Sequence, residues 1–417
     1  MKIVVVGGAS TYTPELIDGF ARQQDLLSLD EVVLVDPAAD RLELVAGMGE
    51  RMLRAAGEPY RLTHTGDLRS ALEGADVVLI QIRVGGQETR AVDENFPLEF
   101  GCIGQETTGA GGLAKALRTV PVVLDIAAQV AEHAPDAWIV DFTNPVGIVT
   151  RALLDEGHRA VGLCNVAIGL QYFFARMLET EPSEVQLAHV GLNHLSWEAA
   201  VHHQGKDVLP ELLASRAEEI AKRVQLPASV VEHLGLVPSY YLRFYYQHDE
   251  VLRQLQDGPS RADEVLRIER ELLDLYADPS VDYKPDALTR RGGALYSESA
   301  VELVSSLLGS RDGVHAVNAR NADALDFLPP DAVIEASAAV GNGTIEFVPA
   351  PTLPASARGL IAHVSAYEEL AVDAAVRGGR RRVTDALLAH PLIGQWPLAE
   401  QLADRLIQEN RKHLAWA

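Results

Sequence analysis

The chain opens with Ile3 to Val6, an unbroken apolar run rich in β-branched residues, and the run stops at Gly7-Gly8. A strand covered on both faces of a parallel sheet has this pattern, because each side of it meets a layer of helices. Helical spacing follows, with Pro14 and Glu15 near the start of a helix. Then the sequence of events repeats. Val32 to Val35 form a second buried strand ending at Asp36, residues 40 to 56 are helical in pattern, and Tyr60 to Thr63 predict another strand. Ala75 to Gln81, Trp138 to Phe142 and Ala160 to Cys164 are further apolar runs. They lead into Arg83-Val84-Gly85-Gly86, Thr143-Asn144-Pro145 and Cys164-Asn165 respectively. Strands alternating with helices predict an α/β fold beginning with a Rossmann-type, doubly wound parallel sheet, in which ligands sit outside the carboxyl ends of the strands.

From about residue 170 the pattern changes. Leu187 to Leu192 and Glu198 to His202 read as antiparallel strands interrupted at Gly191-Leu192-Asn193-His194, and residues 208 to 280 are mostly helical and charged. Arg290-Arg291-Gly292-Gly293 marks a loop, and a long helical segment runs from about 356 to 391 into a helical C-terminus. The expected division is a first domain over 1–170 and an α+β domain over 171–417, with a soft boundary near 170–200.

The turn after the first strand is the earliest candidate for chemistry. A strand, a tight glycine turn and a helix N-terminus present backbone N–H groups to an anion. Asp36, at the end of the next strand, can hydrogen-bond a ribose 2′-hydroxyl and would repel a 2′-phosphate, which favours NAD over NADP. The loop reads Gly7-Gly8-Ala9-Ser10-Thr11-Tyr12 and lacks the G-x-G-x-x-G spacing, so a plain connecting turn is the competing account. Gly7, Gly8, Ser10, Thr11, Asp36 and, after a later strand, Arg83 are the expected cofactor-binding residues.

Composition narrows the partners. With 36 basic against 59 acidic residues the net charge is −23, which argues against nucleic acid or an anionic membrane. Any anionic substrate must therefore be met by locally concentrated arginine. At 417 residues and 47% hydrophobic the chain can bury a sizeable core. Its two cysteines, Cys102 and Cys164, make no disulfide framework. No apolar run reaches membrane-spanning length and no leader precedes the first strand, so a cytoplasmic protein is expected.

Cys164 and His194 each follow a strand end, where a thiolate and an imidazole could share one divalent ion and leave positions open for substrate oxygens. Taken alone the pair is weak, because lone Cys and His residues are more often core. Pro238 to Tyr246 is dense in tyrosine, and a tyrosine beside a cation can act as a base, because the charge lowers its pKa.

Several motifs occur together and in order: Gly7 to Leu16, Gly104-Gln105-Glu106-Thr107-Thr108-Gly109, Thr143-Asn144-Pro145, Cys164-Asn165-Val166, Gly191-Leu192-Asn193-His194 and Tyr241 to Tyr246. Over essentially the whole chain they resemble glycoside hydrolase family 4, the NAD- and metal-dependent glycosidases. The resemblance implies a lactate/malate dehydrogenase-like arrangement, bound NAD+, a Mn2+ ion, usually a 6-phosphosugar substrate, and a homo-dimer or homo-tetramer. It implies Cys164 and His194 as metal ligands, Tyr241 as the base, and Arg90, Asn144 and Arg261 as substrate contacts. Asn165, where the phospho-α-glucosidase branch has Asp, points to a 6-phospho-β-glucosidase, while Ala167 departs from that branch's usual Pro and bears on the exact sugar. The implied chemistry is oxidation at C3, removal of the C2 proton by Tyr241, elimination of the aglycone, water addition and re-reduction. Two rivals remain: a 2-hydroxyacid dehydrogenase, which shares the fold but needs neither thiol nor metal, and a non-catalytic NAD or sugar sensor. A same-family enzyme acting on an unphosphorylated glycoside is a third possibility.

Overall fold

The computed structural model describes residues 1–293 and 295–417. Six strands form the first half of the sheet: β1 (Lys2–Val6), β2 (Glu31–Val35), β3 (Arg61–Thr65), β4 (Val77–Ile80), β5 (Trp138–Asp141) and β6 (Ala160–Gly162). They lie in the order β3-β2-β1-β4-β5-β6, every neighbouring pair parallel, which is the doubly wound arrangement expected. Successive β1 residues feed opposite faces: Val4 and Val6 join one apolar cluster, Ile3 and Val5 another. Both clusters are buried, which is why the run shows no polar alternation. The strand order reverses between β1 and β4. There the chain leaves β1 at Gly7, whose φ is +91° and whose missing Cβ would stand 2.8 Å from the Gln81 carbonyl oxygen, so glycine is required.

The same sheet continues past β6. Strands β7 (Val185–Leu192), β8 (Leu195–His203), β9 (Lys206–Asp207), β10 (Val237–Pro238), β11 (Gly313–Arg320), β12 (Val333–Gly341) and β13 (Thr344–Phe347) are all antiparallel to their partners. From β6 the order runs β11-β12-β7-β8-β10, with β13 on β12 and β9 on β8. Gly162 opposite Asn318 joins the parallel half to the antiparallel half.

Two expectations change in detail. The single helix expected over 356–391 is two, Ala355–Arg377 and Arg380–Ala389, broken where Gly378 and Gly379 take φ of +66° and +97°. Residues 313–347, for which the pattern gave no element, supply three strands. Among the described residues no helix is long and apolar enough to cross a membrane. Cys102 and Cys164 are both free and buried.

Candidate active site

A cleft of about 980 Å³ lies along the carboxyl ends of β1, β2, β4, β5 and β6. Gly7, Ser10, Asp36, Arg83, Arg90, Asn144, Asn165, His194, Tyr241 and Arg261 line it, so most of the residues expected at the site converge there. Gly8, Thr11 and Cys164 are buried behind its wall.

At the glycine turn the structure differs from the expectation. The N–H groups of Gly7 and Gly8 both donate to the Val35 carbonyl, at 2.9 and 3.0 Å. The Ala9 N–H donates to Asp36 Oδ2 at 3.3 Å, and the Ser10 N–H to the Gly7 carbonyl at 3.0 Å. These donors are turned back onto β2 and the turn itself, because a buried N–H left unpaired is costly. Gly8 serves packing: a Cβ there would meet Leu34 Cβ at 2.7 Å. Thr11 is fully buried, donating from Oγ1 to Glu269 at 3.2 Å and accepting from Arg291 Nε at 2.7 Å.

Further along the cleft one buried carboxylate gathers three cations. Glu106 pairs with Arg83, with Arg90 at 3.3 Å and with Lys115 at 2.7 Å. Burial alone would raise its pKa, but Arg83, Arg90 and Lys115 together hold it well below the usual carboxylate range. Lys115 is pushed down to about 7, first by burial and then by Arg83, against the pull of Glu106. Arg90 also donates to Glu94 at 2.7 Å, and Glu94 accepts the Ala262 N–H at 2.8 Å. That bond ties Arg90 to the first turn of the helix Arg261–Ala277, which carries Arg261. The Arg261 guanidinium donates to the Arg290 carbonyl at 2.8 Å and pairs with Glu264, so it faces the end of the short helix Ala287–Arg291, where a loop was expected from residue 290 on.

His194 occupies the two-residue turn between β7 and β8 with φ +61°, a left-handed conformation that costs a non-glycine residue on the order of 1 kcal/mol. Its ring stacks on Tyr241 at 3.7 Å between centroids and 9° between planes. His194 Nδ1 lies 2.9 Å from Thr107 Oγ1, and Thr107 Oγ1 in turn donates to Gln105 Oε1 at 2.7 Å. The hydroxyl proton is thus spent on Gln105, Nδ1 carries the imidazole hydrogen, and Nε2 keeps its lone pair. Burial pushes the His194 pKa down to about 4, so the ring is neutral, as a metal ligand must be.

Cys164 hydrogen-bonds with Tyr296 and Asn193, and its thiol is pushed up to about 12 by burial and then by the charge of Glu335. Asn193 also donates to Glu335 at 2.8 Å, and Glu335 is held by Asn318 at 2.8 Å and by His189 at 3.0 Å. Among the described residues no three His, Cys, Asp or Glu side chains group as a metal site. Cys164 and His194 both adjoin Tyr241, and a thiol with an imidazole is a donor set that suits an ion whose remaining positions are taken by substrate oxygens and water. Asn144 Oδ1, also on the cleft, is buried and has no partner among the described residues, which leaves an acceptor for a ligand hydroxyl. The Tyr241 pKa, expected to be lowered by a neighbouring cation, is raised well above that of free tyrosine, first by burial and then by Tyr240 and Cys164. Burial outweighs the side-chain cations, and an ion beside Cys164 and His194 is the charge that could reverse it.

Sequence reasoning missed Glu106, Lys115, Thr107, Tyr296, Glu269 and Arg41 as site residues, and named Arg291 only as part of a loop. One signal was available. Lys115 sits in the apolar run Gly112-Leu113-Ala114-Lys115-Ala116-Leu117, where a charge has to have a buried partner.

A dinucleotide-type sheet that carries a thiol–imidazole pair and a stacked tyrosine at its strand ends defines a particular class of enzyme. The family model of the family 4 glycosyl hydrolases matches residues 2–180 and that of their C-terminal domain matches residues 189–393, and the chain belongs to this family. It is 36% identical to a probable 6-phospho-beta-glucosidase of Bacillus subtilis over 99% of this chain and 97% of that protein. A 6-phospho-beta glucosidase of Thermotoga maritima, solved with manganese, NAD+ and glucose-6-phosphate, superposes with a TM-score of 0.93 at 32% identity, covering 99% of each chain. Malate dehydrogenase from Salinibacter ruber, at 18% identity and a TM-score of 0.55 over 92% of this chain and 99% of its own, shares the fold. The chain is thus an O-glycosyl hydrolase on a dehydrogenase-like scaffold.

Proposed function

We propose that the protein hydrolyses 6-phospho-β-glucosides by transient oxidation of the sugar, with NAD+ and a divalent ion such as Mn2+ as its cofactors. The observation that carries the reading is the stack of Tyr241 on His194 in the cleft that the Asn144 acceptor also lines, a phenol held against a neutral imidazole that could take an ion. Gly7, Ser10, Asp36 and Arg83, which line the cleft, would hold the dinucleotide, and Cys164 with His194 would hold the ion. Bound there, the dinucleotide supplies a hydride acceptor and the ion a Lewis acid for the sugar's oxygens.

The chain's own residues do the rest. Asn144 and Asn165 orient ring hydroxyls, and Arg90 contributes positive charge that Glu106 and Glu94 hold in place. Arg261 contributes a further guanidinium from the helix start. Tyr241 removes the proton from the carbon beside the oxidised one, and the bond to the aglycone then breaks by elimination. Asn165 in place of a carboxylic acid supports the β-linked substrate. A sugar phosphate does not cross a bilayer unaided, which supports a cytoplasmic enzyme, and a homo-dimer or homo-tetramer is part of the same proposal. Residues 1–170 would serve chiefly the dinucleotide and 171–417 the sugar and the ion.

The decisive experiment is release of p-nitrophenol from phosphorylated and plain α- and β-glucosides, with and without NAD+ and Mn2+. Turnover of the phosphorylated β-glucoside only when both cofactors are present is expected, with loss of a C2 deuterium to solvent. Turnover without NAD+, or steady NADH formation from a simple hydroxy acid, would defeat the proposal.

A further inference from the structure

The glycine turn has already engaged several of the N–H groups that could serve a diphosphate. The N–H groups of Gly7, Gly8, Ala9 and Ser10 all have internal acceptors. A protein of net charge −23 also repels a dinucleotide at long range, so the charge must be met locally. Two guanidinium groups converge on this turn from distant parts of the chain. Arg41 Nε donates to the Ala9 carbonyl at 2.9 Å, and Arg291 Nε donates to Thr11 Oγ1 at 2.7 Å, with its Nη2 3.4 Å from Ser10 Oγ. Both line the cleft beside Gly7, Ser10 and Asp36. Both also meet one carboxylate, Glu269, at 3.4 and 3.3 Å.

Glu269 is buried and further fixed by Thr11 Oγ1 and Gln87 Nε2, each at 3.2 Å. Burial would raise its pKa, but Arg291 and Arg41 hold it below the usual range, so it remains charged. A guanidinium has five N–H donors in a fixed fork that matches phosphate oxygens. The bonds named here engage the Nε and Nη2 groups, which leaves the Nη1 groups for a ligand among the described residues.

Resting on the dinucleotide reading above, we infer that Arg41 and Arg291 form a clamp for the cofactor's diphosphate, with Glu269 as the positioning residue that aims both guanidinium groups at the turn. The clamp replaces the N–H groups that the turn spends on β2. It also brings a residue from the second half of the chain, Arg291, onto a ligand otherwise held by the first.

The test is calorimetric titration of the full-length protein with NAD+, ADP and adenosine. Adenosine has no phosphate and reports on the rest of the pocket. Arg291→Gln should weaken NAD+ and ADP about 10- to 100-fold, the scale of a charge-assisted hydrogen bond, and leave adenosine within about twofold. Glu269→Gln separates positioning from charge. Simple electrostatics would have the loss of a carboxylate strengthen ADP binding, whereas a positioning role weakens it. Should Arg291→Gln not fold, Arg291→Lys keeps the charge but loses the fork, and should still weaken ADP severalfold. Equal losses for adenosine and ADP, unchanged ADP binding, or tighter ADP binding by Glu269→Gln would overturn the inference. Wild-type protein that binds no NAD+ would instead defeat the cofactor reading itself.

Discussion

Glu106 and Glu269 are both buried carboxylates on the same cleft, and both are kept ionised by cations, yet they do different things. Among the described residues Glu269 forms ion pairs only with arginines, which stay charged at any pH the protein survives. Glu106 pairs with two arginines and with Lys115, whose pKa falls to about 7. The cations around Glu269 therefore hold constant charge, and those around Glu106 hold charge that changes around neutrality. A buried anion can thus either fix a cationic surface or make it adjustable, and the partner chosen decides which.

The sharpest way to separate the two regions is to disable one of them. Tyr241→Phe should lower kcat by at least about a thousandfold, since the proposed base is lost, while NAD+ affinity measured by calorimetry stays unchanged. Chelation with EDTA should likewise stop turnover, and added Mn2+ should restore it, with ADP affinity unaffected throughout. A parallel loss of ADP binding in either experiment would mean that the two regions are not separable.

Smaller effects bear on the carboxylates themselves. Glu106→Gln removes the carboxylate shared by half-buried Arg83 and buried Arg90 and Lys115, of which Arg90 keeps Glu94, and should destabilise the fold by about 3–5 kcal/mol in denaturant melts. Glu269→Gln, with partly exposed Arg41 among its partners, should cost about 1–3 kcal/mol. The smallest effect is in pH. Lys115 loses its proton as pH rises through about 7, so affinity for glucose 6-phosphate should fall severalfold above that point, beyond the phosphate's own titration. Lys115→Met should flatten this fall, and ADP affinity should stay level across the same range. Because the folded-state pKa lies below that of free lysine, this group's effect on stability becomes more favourable as pH rises from about 7 towards the free-lysine value.

Much of this was legible in the sequence, and for a physical reason. Parallel strands covered on both faces must be apolar at every position, so Ile3–Val6, Val32–Val35 and Ala75–Gln81 stood out and became β1, β2 and β4. Strands β11 and β12 were not seen, because they alternate small, polar and apolar residues, as in Gly313 to Arg320, without a strong period. The proposed ligands Cys164 and His194 were singled out through their place after strand ends. Glu269 was not, because its partners Thr11, Gln87, Arg41 and Arg291 are scattered along the chain and meet only once it folds.

The tight hairpin that presents His194 has one more consequence. Its turn is stitched on both sides by β7 and β8, its strained residue is already in place, and its ring is fixed from behind by Thr107. A ligand that meets this ring, the proposed ion included, finds its orientation already set by the protein's own bonds, so little conformational freedom is left to lose on binding.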